Sequence, residues 1–348
     1  MKYADQIPSR LIKINNEDYL YFGGTAYLGI HANPDFGKLV VEGINLYGTN
    51  YGASRLGVGI PVFDQMESKL ATWLTAPSSV IVSSGTLAGR LIIEALGDDY
   101  AFHSLPNAHV AINPNFKNNR HDLISNSIED TLDAIHLSDI DKHVITFNTI
   151  DALTSTITPM DWLVRLPKDK EIILIQDDSH GIGVLGEEGS GAYAEIKKLH
   201  SKTIMIASLG KAMGLPAGII AGPIEYTSLV KRHALFGGSS PMVPAYAHAY
   251  LYADEIYHQA YAQLKLNTEY FKERISHLGL FTCTDHFPIF CTDRHELAPY
   301  LEMNKIKISH FAYPSPKDRL YTRIVIHALH TKEDMDRLIQ SLENFTFH

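Results

Sequence analysis

Glu171-Ile172-Ile173-Leu174-Ile175-Gln176-Asp177-Asp178-Ser179-His180 is the stretch on which the fold turns. It opens with a short, β-branched apolar run closed by polar residues, which predicts a strand buried in a parallel sheet. In an open α/β sheet ligands bind beyond the carboxyl ends of the strands, so Asp177 and His180 stand where an acid and an imidazole can meet one. A glycine-rich segment from Gly181 to Gly191 follows. A second strand-like run, Thr203-Ile204-Met205-Ile206-Ala207, ends in Ser208-Leu209-Gly210-Lys211-Ala212-Met213-Gly214, with the apolar run Gly218-Ile219-Ile220-Ala221-Gly222 behind it. Lys211 is thereby expected in a tight turn between two buried strands.

A lysine among apolar strands loses hydration, which favours its neutral form and makes it an amine nucleophile able to form a Schiff base. Pyridoxal 5'-phosphate requires such a lysine, together with a carboxylate that keeps the pyridine nitrogen protonated so that the ring can act as an electron sink. Asp177 is the candidate carboxylate. His180 can hydrogen-bond the ring's phenolic oxygen or a substrate carboxylate, and Ser208 is close enough to Lys211 to give its hydroxyl to the cofactor phosphate. Singly, a strand-end acid reads as a cap and a lysine as a solvated cation. The ordered set on two adjacent strand ends is what points to this chemistry.

Around these residues the chain resembles the α-oxoamine synthases of the fold-type-I pyridoxal-phosphate enzymes. The family pattern runs Asp-Glu/Asp-Ala-His-Ser/Gly, then Gly-Val-Leu-Gly, then Thr/Ser-x-Ser-Lys-Ala-x-Gly. Here it reads Asp177-Asp178-Ser179-His180-Gly181, Gly183-Val184-Leu185-Gly186 and Ser208-Leu209-Gly210-Lys211-Ala212-Met213-Gly214, and the likeness extends from about Tyr19 to the C-terminus. Near the start, Tyr27, Leu28 and Gly29 match the family's Tyr-Leu-Gly, while Gly24, Thr25 and Ala26 stand where Ser, Asn and Asp are usual. The chain starts late relative to the family, whose members carry a longer N-terminal helical segment over the acyl-CoA site.

The resemblance implies further site residues. Val80-Ile81-Val82-Ser83-Ser84-Gly85-Thr86 reads as strand, tight turn and helix start, a form that aims backbone amides and a helix dipole at an anion. In the family these amides bind the phosphate, which assigns that role to Gly85 and Thr86 beside Ser84. His109, in Pro106-Asn107-Ala108-His109, corresponds to the family histidine that stacks over the cofactor ring, with one residue inserted before it. Asn148 ends another strand and either hydrogen-bonds the phenolic oxygen or serves a turn. The glycine-dense segment Tyr47 to Gly59, with Arg55, is similar to a stretch near the family's dimer interface.

Phe236-Gly237-Gly238-Ser239-Ser240-Pro241 resembles a loop that reaches the second subunit's phosphate, which makes Ser239 and Ser240 candidate contacts in a homodimer with a shared active site. Arg323, counted back from His330, falls on the family arginine that holds the amino-acid carboxylate. A planar guanidinium suits bidentate carboxylate binding.

The chain has 348 residues, 45% of them apolar, enough for a large core divided between a major and a minor domain. A formal charge of -9 argues against nonspecific nucleic-acid binding, which needs a basic face. No apolar run reaches membrane-spanning length, and the start, Met1 to Gln6, lacks the apolar core of a signal peptide, so a cytoplasmic protein is expected. The two cysteines, Cys283 and Cys291, read as reduced thiols. Neither His327 nor His330 has metal-site spacing, and a structural role is expected for both. The expected fold is α/β: a fold-type-I transferase with a large domain on a mostly parallel, seven-stranded-type sheet between helices, plus a small C-terminal α+β domain. Residues 1–35 are expected as an N-terminal arm, 36–240 as the large cofactor-binding domain, and 241–348 as a linking helix and small domain.

The leading reaction condenses an α-amino acid with an acyl-CoA or acyl-carrier thioester, losing carbon dioxide to leave an α-amino ketone. Lys211, Asp177 and His180 would carry the chemistry. The alternative is an aminotransferase or aldolase-like lyase that uses no acyl-CoA. An idle cofactor-binding scaffold is opposed by the joint presence of Lys211, Asp177 and Arg323.

Overall fold

The fold was obtained as a computed structural model and is described for residues 4–114 and 122–346. Met1 to Tyr3, part of the start read above as lacking a signal peptide, lie outside the described residues. In chain order the elements begin with β1 (Leu11–Ile14), β2 (Glu17–Phe22), α1 (Pro34–Tyr47), α2 (Pro61–Trp73), β3 (Ser78–Val82), α3 (Gly85–Leu96) and β4 (Ala101–Ser104). There follow β5 (Leu123–Ile124), α4 (Ile128–Leu137), β6 (Lys142–Asn148), the ribbon strands β7 (Ile150–Asp151) and β8 (Thr156–Ile157), β9 (Glu171–Asp177) and α5 (Tyr193–Leu199). Next come β10 (Thr203–Ser208), β11 (Gly218–Gly222), α6 (Ile224–Arg232), α7 (Ala234–Gly238), α8 (Pro244–Leu251) and α9 (Asp254–Ile275). The last elements are β12 (Thr282–Cys283), β13 (Ile289–Thr292), α10 (Leu297–Met303), β14 (Ile306–Ala312), β15 (Leu320–Val325) and α11 (Lys332–Thr346).

The apolar runs become the centre of a seven-stranded sheet ordered β3-β11-β10-β9-β6-β4-β5. Only β11 runs antiparallel to its neighbours. The uninterrupted apolar character of β10 follows from burial on both faces. Ile204 and Ile206 pack with Leu91 and Ile92 of α3, while Met205 and Ala207 face the opposite core with Met66 and Leu70 of α2. Parallel strands sandwiched between helices need no polar face, so their sequence does not alternate.

A second, six-stranded sheet is ordered β1-β2-β14-β15-β13-β12. Here the N-terminal stretch departs from the expected arm. β2 pairs in parallel with β14, and Leu20 and Phe22 are buried with Phe290, Ile306 and Ile324 in the core of the C-terminal sheet. Burial alternates along the second half of β2, with Leu20 and Phe22 buried and Tyr19 and Tyr21 half-buried. Residues 23–33 then cross as a strap to α1, which starts at a capped turn where the Asn33 side chain accepts from the amides of Asp35 and Phe36.

Close approach of helices sets the remaining geometry. A Cβ placed on Gly43 of α1 would stand 2.6 Å from Ala245 O and 2.7 Å from its Cα on α8. Gly43→Val should therefore overpack this crossing and cost about 1–3 kcal/mol, read as a lower midpoint in thermal or urea unfolding. An unchanged midpoint would mean that α1 and α8 separate without cost.

Candidate active site

The ends of β6 and β9, the turn after β10 and one arginine from the small sheet converge on a cavity of about 570 Å³. Its lining includes Asn148 of β6, Asp177 of β9, His180, Lys211, His109 and Arg323. The β9–β10 register sets Asp177 opposite Ile206, and two further bonds tie the loops beyond the strand ends. Asp178 N donates to Ile206 O at 2.9 Å, and Ser208 N donates to Ser179 Oγ at 2.8 Å. The Lys211 turn is closed by Leu209 N to Ala217 O and Leu215 N to Leu209 O, each 2.9 Å, and Tyr257 of α9 donates its hydroxyl to Met213 O at 2.7 Å.

The Lys211 Nζ makes no hydrogen bond or ion pair among the described residues. Burial pushes its amine down to about 8, with the nearby Asp177 opposing the shift and Arg323 reinforcing it. Asp177 holds Ser179 N on Oδ1 at 2.9 Å, and no hydrogen-bond donor among the described residues reaches its Oδ2, which lies 3.9 Å from His109 Nδ1. A buried carboxylate with one oxygen open to the cavity is what a pyridinium N–H requires. His109 Nδ1 accepts from Ala111 N at 3.2 Å, and burial pushes the His109 ring below its usual range.

The start of α3 lies directly against Ser208. A Cβ on Gly85 would meet Ser208 Cα and Cβ at 2.7 Å, so only glycine admits this approach. Ser84 caps the helix by accepting from Leu87 N at 3.1 Å. That leaves the amides of Gly85 and Thr86, with the hydroxyls of Ser84, Thr86 and Ser208, as donors for a phosphate. The residues present fit pyridoxal phosphate: an amine and an open carboxylate oxygen on one cavity, and an anion cradle packed against Ser208, three residues before the amine.

Arg323, on β15, is buried and donates to Ala152 O, with its guanidinium carbon 5.2 Å from the centre of the Phe311 ring. Its Nε has no partner, and no carboxylate among the described residues pairs with it. A buried cation without a counter-ion is costly unless a ligand brings one. By contrast, Arg55 is fully engaged, with Glu67 Oε1 at 2.6 Å and the Phe63 ring at 4.7 Å.

Asn148 has a loop role: its Oδ1 accepts from His109 N at 3.0 Å and one Nδ2 proton goes to Asn107 O at 2.6 Å, so the amide braces the His109 loop while the second Nδ2 proton stays unassigned on a residue that lines the cavity. Ser239 and Ser240 line a small pocket with Arg55, Val82, Leu87 and Phe236, beside the first turn of α3. His330 is structural: Nδ1 accepts from His327 N at 2.9 Å and Nε2 faces Tyr21 O at 2.9 Å.

Sequence reasoning missed two contributors, Ser179 and Tyr27. Ser179 carried a signal, since it replaces the alanine of the family pattern. The Tyr27 hydroxyl lies 2.7 Å from His180 Nδ1, a contact across 153 residues that no local pattern announces. Asp178 lies outside the cavity lining. Its Oδ2 accepts from Ala192 N at 2.8 Å, and burial raises the carboxyl to about 7.

Residues 45–342 match the aminotransferase class I and II family. The 8-amino-7-oxononanoate synthase of Petrotoga mobilis is 28% identical over 353 residues, covering 95% of this chain and 89% of that protein. That of Thermoanaerobacter pseudethanolicus is 28% identical over 352 residues, covering 95% and 88%. Among solved structures, a serine palmitoyltransferase of Sphingomonas wittichii superposes with a TM-score of 0.85 at 16% identity, covering 99% of this chain and 91% of that one. The 8-amino-7-oxononanoate synthase of Francisella tularensis gives 0.72 at 21%, covering 94% and 98%. Both share the fold.

The Lys211 amine titrates at about 8 in the fold and at 10.5 ordinarily, so between these values the unfolded chain binds more protons and stability rises with pH. Below the lower value the buried cation opposes folding in full. In urea unfolding of the cofactor-free protein, Lys211→Met should be more stable than wild type near neutral pH, with the advantage shrinking as pH rises through this window. Parallel pH curves for the two proteins would contradict the burial of a charge-sensitive amine.

Proposed function

The chain belongs to the aminotransferase class I and II family, as a pyridoxal-phosphate-dependent transferase, and from that premise we propose that it is an α-oxoamine synthase. The reaction joins the α-carbon of an amino acid to the acyl carbon of a thioester, on CoA or an acyl carrier, as in the 8-amino-7-oxononanoate synthases it resembles. The C–S bond breaks and the thiolate leaves. The bond from the α-carbon to the carboxylate breaks with loss of carbon dioxide, and a proton returns to the α-carbon of the amino ketone.

Pyridoxal phosphate, when bound, supplies a protonated ring that accepts the electron pair of the α-carbon. Asp177 Oδ2 would hold the ring N–H, Gly85, Thr86, Ser84 and Ser208 would hold the phosphate, and His109 would exclude water from the ring. Arg323 grips the amino-acid carboxylate and so orients the α-hydrogen. Lys211 Nζ, partly neutral near its lowered pKa, takes the α-proton as general base. His180 holds its imidazole towards the acyl carbonyl. The second subunit of a cytoplasmic homodimer adds Ser240, with Ser239 beside it, to the phosphate.

The single observation that carries this reading is Arg323: a buried guanidinium with no counter-ion among the described residues, on the same cavity as Lys211 and Asp177. The test is thiol release by the cofactor-loaded enzyme, offered glycine, alanine or serine with a series of acyl-CoA esters. One pairing should release free thiol and carbon dioxide together. Arg323→Gln should raise the amino-acid KM by about a hundredfold, within the ~2–5 kcal/mol attached to losing one partner of a buried charge pair. Keto-acid formation without thiol release would replace this reading by transamination.

A further inference from the structure

Tyr27 is fully buried on the strap between β2 and α1, behind the cavity rather than in it. Its carbonyl accepts from Ala328 N at 2.8 Å, and its ring centre lies 6.1 Å from that of Phe287. Gly29, two residues on, sits so close to Leu329 that a Cβ there would stand 2.3 Å from the leucine Cγ. The strap is therefore immobilised by the small domain, and the phenol is carried on it to 2.7 Å from His180 Nδ1. Since Nδ1 faces Tyr27, the opposite edge of the imidazole, Nε2, is the edge turned to the cavity that His180 lines.

Burial, with Lys211 and Arg323 nearby, holds His180 well below its usual pKa, so the ring is neutral and carries one N–H. Two tautomers compete. If Nδ1–H donated to the phenolic oxygen, the phenolic proton would be left in a closed site with no other acceptor among the described residues. Leaving a buried donor unmade costs about 1–3 kcal/mol. If the phenol donates to Nδ1, nothing is left over and the proton of the ring resides on Nε2. The positive charges of Lys211 and Arg323 pull the other way, because they favour a lone pair facing them.

We propose that Tyr27 is a positioning residue that locks His180 as the Nε2–H tautomer, so that the imidazole offers the cavity a donor and never an acceptor. Such a donor serves an anionic oxygen, whether the phenolic oxygen of the cofactor or the carbonyl oxygen of the acyl group as it takes up charge. The oxygen served rests on the reaction proposed above; the tautomer rests on this geometry alone.

Long-range proton–nitrogen spectra of the cofactor-free protein, labelled with 15N-histidine, read the tautomer directly. The His180 signals are those that vanish in His180→Gln. Wild type should show a pyridine-type Nδ1 and a pyrrole-type Nε2. Tyr27→Phe, with the donor gone, should give averaged shifts for the two nitrogens, and in the loaded enzyme a kcat for thiol release about tenfold lower with amino-acid KM nearly unchanged. A pyridine-type Nε2 in wild type overturns the inference whatever the reaction. A wild-type tautomer retained in folded Tyr27→Phe also overturns it, since Tyr27 would not be the lock. If circular dichroism shows that Tyr27→Phe does not fold, the wild-type spectrum still decides the tautomer. Failure of thiol release alongside a pyrrole-type Nε2 overturns the reaction and leaves the inference standing.

Discussion

The register of β9 against β10 is the constraint on which the site depends. It sets Asp177 beside Ile206, so that an acid and a lysine 34 positions apart in the chain share one cavity. Side chains alone could not hold that juxtaposition, because Asp177 is the last residue of β9 and Lys211 sits in the turn beyond β10. The backbone does it: Asp178 N bonds to Ile206 O at 2.9 Å and Ser208 N to Ser179 Oγ at 2.8 Å, continuing the ladder one step past the sheet. Both strands are buried on two faces, so slipping the register would cost apolar packing on each side as well as hydrogen bonds. The chemistry is thus anchored in the least deformable part of the fold.

The same burial that fixes these groups also tunes them. Desolvation lowers the Lys211 amine, and it leaves Arg323 as a cation whose only direct acceptor among the described residues is the Ala152 carbonyl. Arg323 comes from β15 of the small sheet, whereas Ala152 follows β7 beside the large one, so the site exists only when the two sheets are docked. Helix α9 enforces that docking. Tyr257 bonds to Met213 O at 2.7 Å, Tyr261 to Gly186 O at 3.2 Å, and Asn267 to His327 O at 3.0 Å and His330 O at 2.9 Å. One helix therefore clamps the lysine turn, the glycine-rich loop and the segment after β15.

The central sheet was legible because doubly buried parallel strands leave continuous apolar runs, and the chemistry was legible because it sits where those runs stop. Lys211, Asp177 and the α3 start could be read from order alone. The pairing of β2 with β14 could not, since it joins positions nearly 300 residues apart and its alternation looks like that of any half-exposed segment. Asn148 showed the limit of residue type as a guide. An asparagine at a strand end has the same donors and acceptors for a cofactor as for a loop, and only the neighbouring 107–109 backbone decides which it meets.

The departures from the family pattern fall unevenly, and packing explains why. The cofactor floor is built of backbone contacts that tolerate no side chain. Gly85 meets Ser208, and a Cβ on Gly218 would lie 2.1 Å from Ser84 O. Of the altered positions, Thr25, Asn148 and Ile150 to Leu153 belong instead to the cavity wall, which Phe311 and Tyr321 complete. A wall side chain that faces open space can change without displacing the sheet beneath it. On the proposed reading, substrate choice is free to diverge on this fold while Lys211, Asp177 and the Gly85 turn stay where the strand ends put them.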